Sequence, residues 1–112
     1  MKELICEGRC AVPGTVTGVA RVIIEPNDII NIKEGEIIIT RMTDPESVPY
    51  IQKAVGVVTN HGGILCHAAI VCREMEICCV VGTKNATELI KTGDIITINN
   101  SKVYKGEWLC II

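Results

Sequence analysis

Thr59-Asn60-His61-Gly62-Gly63-Ile64-Leu65-Cys66-His67-Ala68-Ala69-Ile70-Val71-Cys72-Arg73-Glu74 is the stretch whose reading decides the fold. Val55 and Val57-Val58 ahead of it are β-branched and apolar, as a buried strand requires. Gly62-Gly63 permits backbone angles that other residues resist, so a turn follows the strand. From Cys66 onward Ala, Ile, Val, Arg, Glu and Met predict a helix. His67 then falls in the first turn of that helix, where free N–H groups and the positive end of the helix dipole face outward. Phosphate suits such a place. The same field disfavours an imidazolium and favours a neutral, nucleophilic ring. A phosphoryl-carrying histidine is one reading; a capping or surface histidine is the other, and spacing alone leaves both open.

The rest of the composition narrows the class. At 112 residues the chain fits one domain, residues 1–112, with a real core. Hydrophobic residues make up 48% and the mean hydropathy is +0.37, which excludes a disordered chain. Aromatics are 3%, with no Phe, so the core must be Ile, Val, Leu and Cys, a composition that favours β structure with some helix. The net charge of −2 gives no footprint for nucleic acid or an anionic membrane surface. No apolar run reaches the ~18 residues of a membrane span. The first residues do not resemble a signal peptide, so a cytoplasmic protein is expected. Seven cysteines without a Cys-x-x-Cys, and two histidines outside zinc spacings, predict reduced, partly buried thiols and no metal site.

Along the chain, Glu3 to Glu7 reads as a strand, Arg9 to Gly14 as a turn-rich lead-in, and Thr15 to Ile24 as a strand broken by Glu25-Pro26-Asn27-Asp28. Asp28 to Lys33 is a helical turn, and Glu36 to Thr40 a strand buried on both faces. Asp44 and Pro45 start a helix that runs to about Lys53. After the strand Val55 to Thr59 and the His67 helix come a strand, Ile77 to Val81, and a short helix, Asn85 to Lys91, closed by Gly93. Asp94 to Ile98 and Lys102 to Tyr104 form a hairpin around Asn99-Asn100-Ser101. The sum is α/β, with strands outnumbering helices.

The opening stretch also resembles the phosphohistidine signature of the PEP-utilising enzymes, PEP synthase, pyruvate phosphate dikinase and their relatives. That pattern is a Thr, a Gly-Gly, three residues, His-Ala-Ala-Ile, then Arg-Glu. Here it is carried by Thr59, Gly62-Gly63, His67 through Ile70, and Arg73-Glu74. Cys66 before the histidine is similar to PEP synthase in particular. Pro13-Gly14 with Gly18, the segment from Gly35 to Pro45, and Val80 to Thr83 with Asn85-Ala86-Thr87 extend the likeness over most of the chain. The resemblance implies a three-layer β/β/α domain that swivels between two distant sites. It also implies that His67 is the nucleophile and carrier, moving phosphoryl groups from ATP to pyruvate or back from PEP. Gly62, Gly63 and the amides of Cys66, His67 and Ala68 would meet the phosphate; Thr59, Arg73 and Glu74 would support the site. Arg73 lies about 240° around an ideal helix from His67, so pairing with Glu74, Glu76 or a neighbouring domain is expected rather than contact with phosphate.

Five residues depart from the family pattern. Leu65 replaces a Thr or Ser, Asn60-His61 an acidic pair, Glu76 a Gly at the helix exit, and Cys78 a Pro. The chain also lacks a nucleotide-binding loop. The resemblance therefore implies an ATP-binding (ATP-grasp) domain or subunit, holding Mg²⁺ and ATP, and a separate PEP/pyruvate-binding barrel, with no cofactor bound by this chain alone. Alternatives are a regulatory or binding module of the same fold without phosphotransfer, a carrier for a drug or glucan acceptor, or a thiol or metal protein built on the cysteines.

Overall fold

The computed structural model describes residues 3–106. Its centre is three parallel strands, β4 (Ile37–Thr40), β5 (Gly56–Thr59) and β6 (Cys78–Val81), in which every residue is buried. Runs that are apolar throughout, rather than alternating, belong to strands covered on both faces. Period-2 geometry sends successive side chains to opposite sides. Ile38, Val57, Cys79 and Val81 pack with Ala68, Ala69 and Cys72 of the helix α2 (His67–Met75). Ile37, Ile39, Val58, Cys78 and Val80 pack the other way, against Ile96, Ile98 and Val103 of a second sheet. Two cores separated by one sheet make three layers, β/β/α, the architecture that the family resemblance implies.

The long strand β3 (Thr15–Ile23) belongs to both sheets. Its first half pairs antiparallel with β7 (Ile95–Asn99), from Thr15↔Asn99 to Val19↔Ile95. Its last four residues pair parallel with β4, from Ala20↔Ile37 to Ile23↔Thr40. The remaining strands are β1 (Glu3–Glu7), β2 (Arg9–Val12) and β8 (Lys102–Lys105), and the full order is β1-β8-β7-β3-β4-β5-β6-β2. A bidentate ion pair ties the sheet to the turn before β4: Arg21 Nε and Nη2 each donate to Glu36 at 3.0 Å. Burial pushes the Glu36 carboxyl up, but Arg21 and the Lys33 amide outweigh it and hold the group below its ordinary value.

Three local expectations are corrected. The lead-in from Arg9 contains a strand, β2, because Arg9, Cys10 and Val12 find β6 as an antiparallel partner across a bulge. The helix expected from Asp44 to Lys53 is shorter and split, a 3-10 turn at Pro45–Ser47 and then α1 (Val48–Ile51), with Pro49 inside its first turn. Asn85 to Lys91 shortens to α3 (Ala86–Leu89), since Ile90 is already extended.

Six cysteines lie among the described residues, all as free thiols; Cys110 lies outside them. Burial pushes Cys6 and Cys78 up to about 11. Cys79 is raised by its hydrogen bond with the Cys72 thiol and by burial. Enclosed in the two cores, Cys6, Cys72, Cys78 and Cys79 are packing groups. Among the described residues no group of three His, Cys, Asp or Glu side chains is placed to hold a metal ion, and no helix is long and apolar enough to cross a membrane.

Candidate functional site

The loops after β4 and β5 run side by side, because the ladder between the strands continues beyond them. Asn60 N–H donates to the Thr40 carbonyl and His61 N–H to the Arg41 carbonyl, both at 3.0 Å. In parallel sheets, ligands sit beyond the carboxyl ends of the strands. Here that position holds a cleft of about 250 Å³, lined by Met42, Thr43, Thr59, His61, Gly62, Cys66, His67 and Ala68.

Thr59 ends β5, fully buried. Its hydroxyl donates to the His61 carbonyl at 2.6 Å, and its own carbonyl accepts from the Thr83 amide and hydroxyl. Asn60 is buried too, and its side chain clamps Thr87 of α3, donating at 2.8 Å to the hydroxyl and accepting from the amide at 3.1 Å. Gly62 then turns the chain at φ +106°, a region other residues resist. A Cβ there would lie 2.7 Å from the Cys66 sulfur. Beside Gly63 the space is open.

Cys66 occupies the position before α2 in extended conformation, and its thiol makes no capping bond to the helix. His67 and Ala68 open the helix, so their amides precede the first intrahelical bond. Neither has an acceptor among the described residues. The Cys66 amide differs from expectation: it donates to the Gly63 carbonyl at 3.0 Å and closes the loop. The amides without an acceptor among the described residues are therefore those of His67, Ala68 and Ala69, and not that of Cys66.

The imidazole is not left to rotate. His67 Nδ1 lies 2.8 Å from the Thr43 hydroxyl oxygen, in the half-buried wall of the cleft. Thr43 is itself fixed, since Asp44 and Ser47 exchange three hydrogen bonds in the turn that follows. With Nδ1 engaged, Nε2 is the other ring nitrogen, and it carries the lone pair in the tautomer in which Nδ1–H donates to Thr43. Thr43 was not among the sequence candidates. It is 24 residues from His67, and only strand pairing brings the two loops together.

The remaining candidates stand further out. Arg73 does not line the cleft, and it pairs neither with Glu74 nor with Glu76. Its Nη2 donates to the Ile64 carbonyl at 2.8 Å. Glu74 is exposed and makes no ion pair among the described residues. His61 is exposed and borders both this cleft and a larger groove of about 490 Å³, whose walls include Ile24, Ile30, Arg41, Met42 and Tyr50. Among the described residues no Lys or Arg lines the His67 cleft; the nearby Arg41 reaches the Ile24 carbonyl at 3.4 Å. The rim is apolar, with Met42 65% and Leu65 80% exposed.

Comparison with known proteins gives the family. The family model for the PEP-utilising enzyme, mobile domain, matches residues 32–102. The chain is 46% identical to a probable phosphoenolpyruvate synthase of Staphylothermus marinus and 46% to a phosphoenolpyruvate synthase of Pyrococcus furiosus. Each match covers 93% of this chain and 13% of the relative. The chain thus spans about an eighth of the length of the curated relatives it matches. Among solved structures, an NMR structure of Enzyme I is similar at a TM-score of 0.60 and 26% identity, over 70% of this chain and 34% of that one. With the site at the carboxyl ends of β4 and β5 and the matched residues enclosing it, the chain belongs to the mobile-domain family of the PEP-utilising enzymes.

Proposed function

We propose that this domain is a phosphohistidine carrier in which His67 Nε2 takes a phosphoryl group from ATP and delivers it to pyruvate, or runs the reverse course from PEP. The observation that carries the reading is the orientation of His67. Its Nδ1 is held against Thr43, and its ring stands at a helix start whose first amides have no acceptor. In the forward step the Nε2 lone pair forms the N–P bond while the P–O bond to the donor breaks and its electron pair stays on the donor oxygen. Nδ1–H donates to Thr43 and supports the positive charge on the ring. The amides of His67 and Ala68 face the phosphoryl oxygens, the positioning and charge matching that phosphoryl transfer asks of a protein.

No Lys or Arg among the described residues lines the cleft, and in this reading the partner brings the balancing cations. An ATP-grasp domain or subunit holding Mg²⁺ and ATP, and a PEP/pyruvate-binding barrel, fill the donor and acceptor roles. The relatives named phosphoenolpyruvate synthase support pyruvate over a drug or glucan acceptor. Free thiols suit a reducing, cytoplasmic setting.

The test is intact mass after incubation with the ATP-binding domain of a phosphoenolpyruvate synthase, Mg²⁺ and ATP, beside His67→Ala. An acid-labile phosphoryl adduct in the native chain and none in the variant is the expected result. No adduct on the native chain, with a partner that phosphorylates its own carrier domain, favours the regulatory module instead.

A further inference from the structure

We propose that Arg73 is a positioning residue for phosphoryl transfer at His67, acting through the carbonyl of Ile64; the proposal rests on the carrier reading above. Arg73 cannot touch a phosphoryl group on His67, because six residues of helix carry it to another face. Its side chain instead leans toward the start of the helix, along the face it shares with Ile70, as helical side chains do. There Nη2 donates to Ile64 at 2.8 Å, nine residues back.

What the guanidinium holds has little else to hold it. Between the buried Asn60 and the helix, the loop passes through two glycines and then the exposed Ile64 and Leu65. Its first residue, His61, is anchored by the Arg41 carbonyl and the Thr59 hydroxyl, but from Gly62 to Leu65 the backbone closure is one bond, from the Cys66 amide to the Gly63 carbonyl. The Ile64 side chain is half exposed and gives little burial in return for order. Glycine loses more freedom on ordering than any other residue, so this turn is costly to hold in one shape. The shape matters, since Gly62 and Cys66 both line the His67 cleft and pack so closely that a Cβ on Gly62 would lie 2.7 Å from the Cys66 sulfur. A loop that frays at Ile64 loosens the Gly62–Cys66 contact in the wall of that cleft. Arg73 is thus a latch on the outer wall, and Ile64 is what it fastens.

The test compares Arg73→Ala and Arg73→Lys in this 112-residue chain. Three quantities are read: the rate of adduct formation with the phosphoenolpyruvate synthase ATP-binding domain and Mg²⁺-ATP, the hydrogen exchange of the Cys66 amide by NMR without partner, and the melting temperature. For Arg73→Ala we expect adduct formation slowed about tenfold or more, in the range for losing a residue that supports a reacting histidine. Cys66 exchange should quicken by a similar factor while the melting temperature stays within a few degrees. Arg73→Lys, which keeps one donor, should recover part of both rates. Wild-type rates of phosphorylation in Arg73→Ala overturn the proposal. So does slower phosphorylation with unchanged Cys66 exchange, which places Arg73 at the partner surface instead. If the native chain forms no adduct, the carrier reading fails by itself, and the exchange measurement still decides whether Arg73 latches the loop.

Discussion

At its start, α2 has Cys66 in the capping position, a thiol that leaves the first amides without acceptors. At its end, Glu76 sits in the left-handed region at φ 59°, and the amides of Glu76 and Ile77 both reach the Cys72 carbonyl. One end is left open where Ser, Thr, Asp or Asn would have closed it. The other is closed by backbone alone, with a residue that pays for the shape where Gly would not. The difference separates two demands on one helix. Its exit must deliver Ile77 and Cys78 into the core within two residues, so order is imposed there despite strain. Its start faces a cleft, and the stability forgone there is what leaves amides for an incoming anion.

The strongest challenge to this contrast is Thr43→Val, which frees the ring that the open helix end serves. Adduct formation should fall on the order of tenfold to a hundredfold, as when an orienting partner of a histidine is removed, and Thr43→Ser should restore most of it. Quenched-flow phosphorylation reads both; an unchanged rate in Thr43→Val would mean that helix geometry alone orients His67. A smaller effect of mixed sign is expected from Cys66→Asp, which supplies the missing cap. Its carboxylate would occupy the first-turn amides and repel a phosphoryl group, lowering the rate by about tenfold while adding about 1 kcal/mol of stability. Calorimetry and phosphorylation on the same sample would show whether the two move in opposite directions. The smallest effect belongs to the far end. Glu76→Gly should raise stability by about 0.5–1 kcal/mol and leave phosphorylation untouched, because it relieves left-handed strain at a position remote from the cleft. A change in phosphorylation there would show that the two ends are coupled.

His67 at a helix start and the turn at Gly62 were legible because both depend on neighbours in sequence. The three central strands were legible because double burial leaves an unbroken apolar run. Thr43 was not, since a side chain that acts through a hydrogen bond across two loops leaves no local periodicity; the likeness of residues 41–45 to the family was its only trace. Strand β2 was hidden for a similar reason. Four residues beside Pro13-Gly14 carry weak signals of their own and become a strand only against β6. The Cys66 amide was misjudged because spacing counts the donors at a helix start but not the carbonyl that a glycine turn brings back to one of them.

Strands β1 and β2 stand at opposite ends of the sheet order, yet they are consecutive in the chain, separated by Gly8 alone. Gly8 fits because it lies flat on β6; a Cβ there would collide with the Val81 carbonyl oxygen. One short piece of chain, residues 3–12, therefore covers the outer side of β8 and the outer side of β6. Exposed strand edges invite pairing with other molecules. While the protein is being synthesised, β2 can take its place once β6 has emerged, but β1 must wait for Lys102–Lys105. Until β8 arrives, this part of the nascent chain carries an unguarded edge, and β1, made before the other strands described here, is among the last of them to be paired.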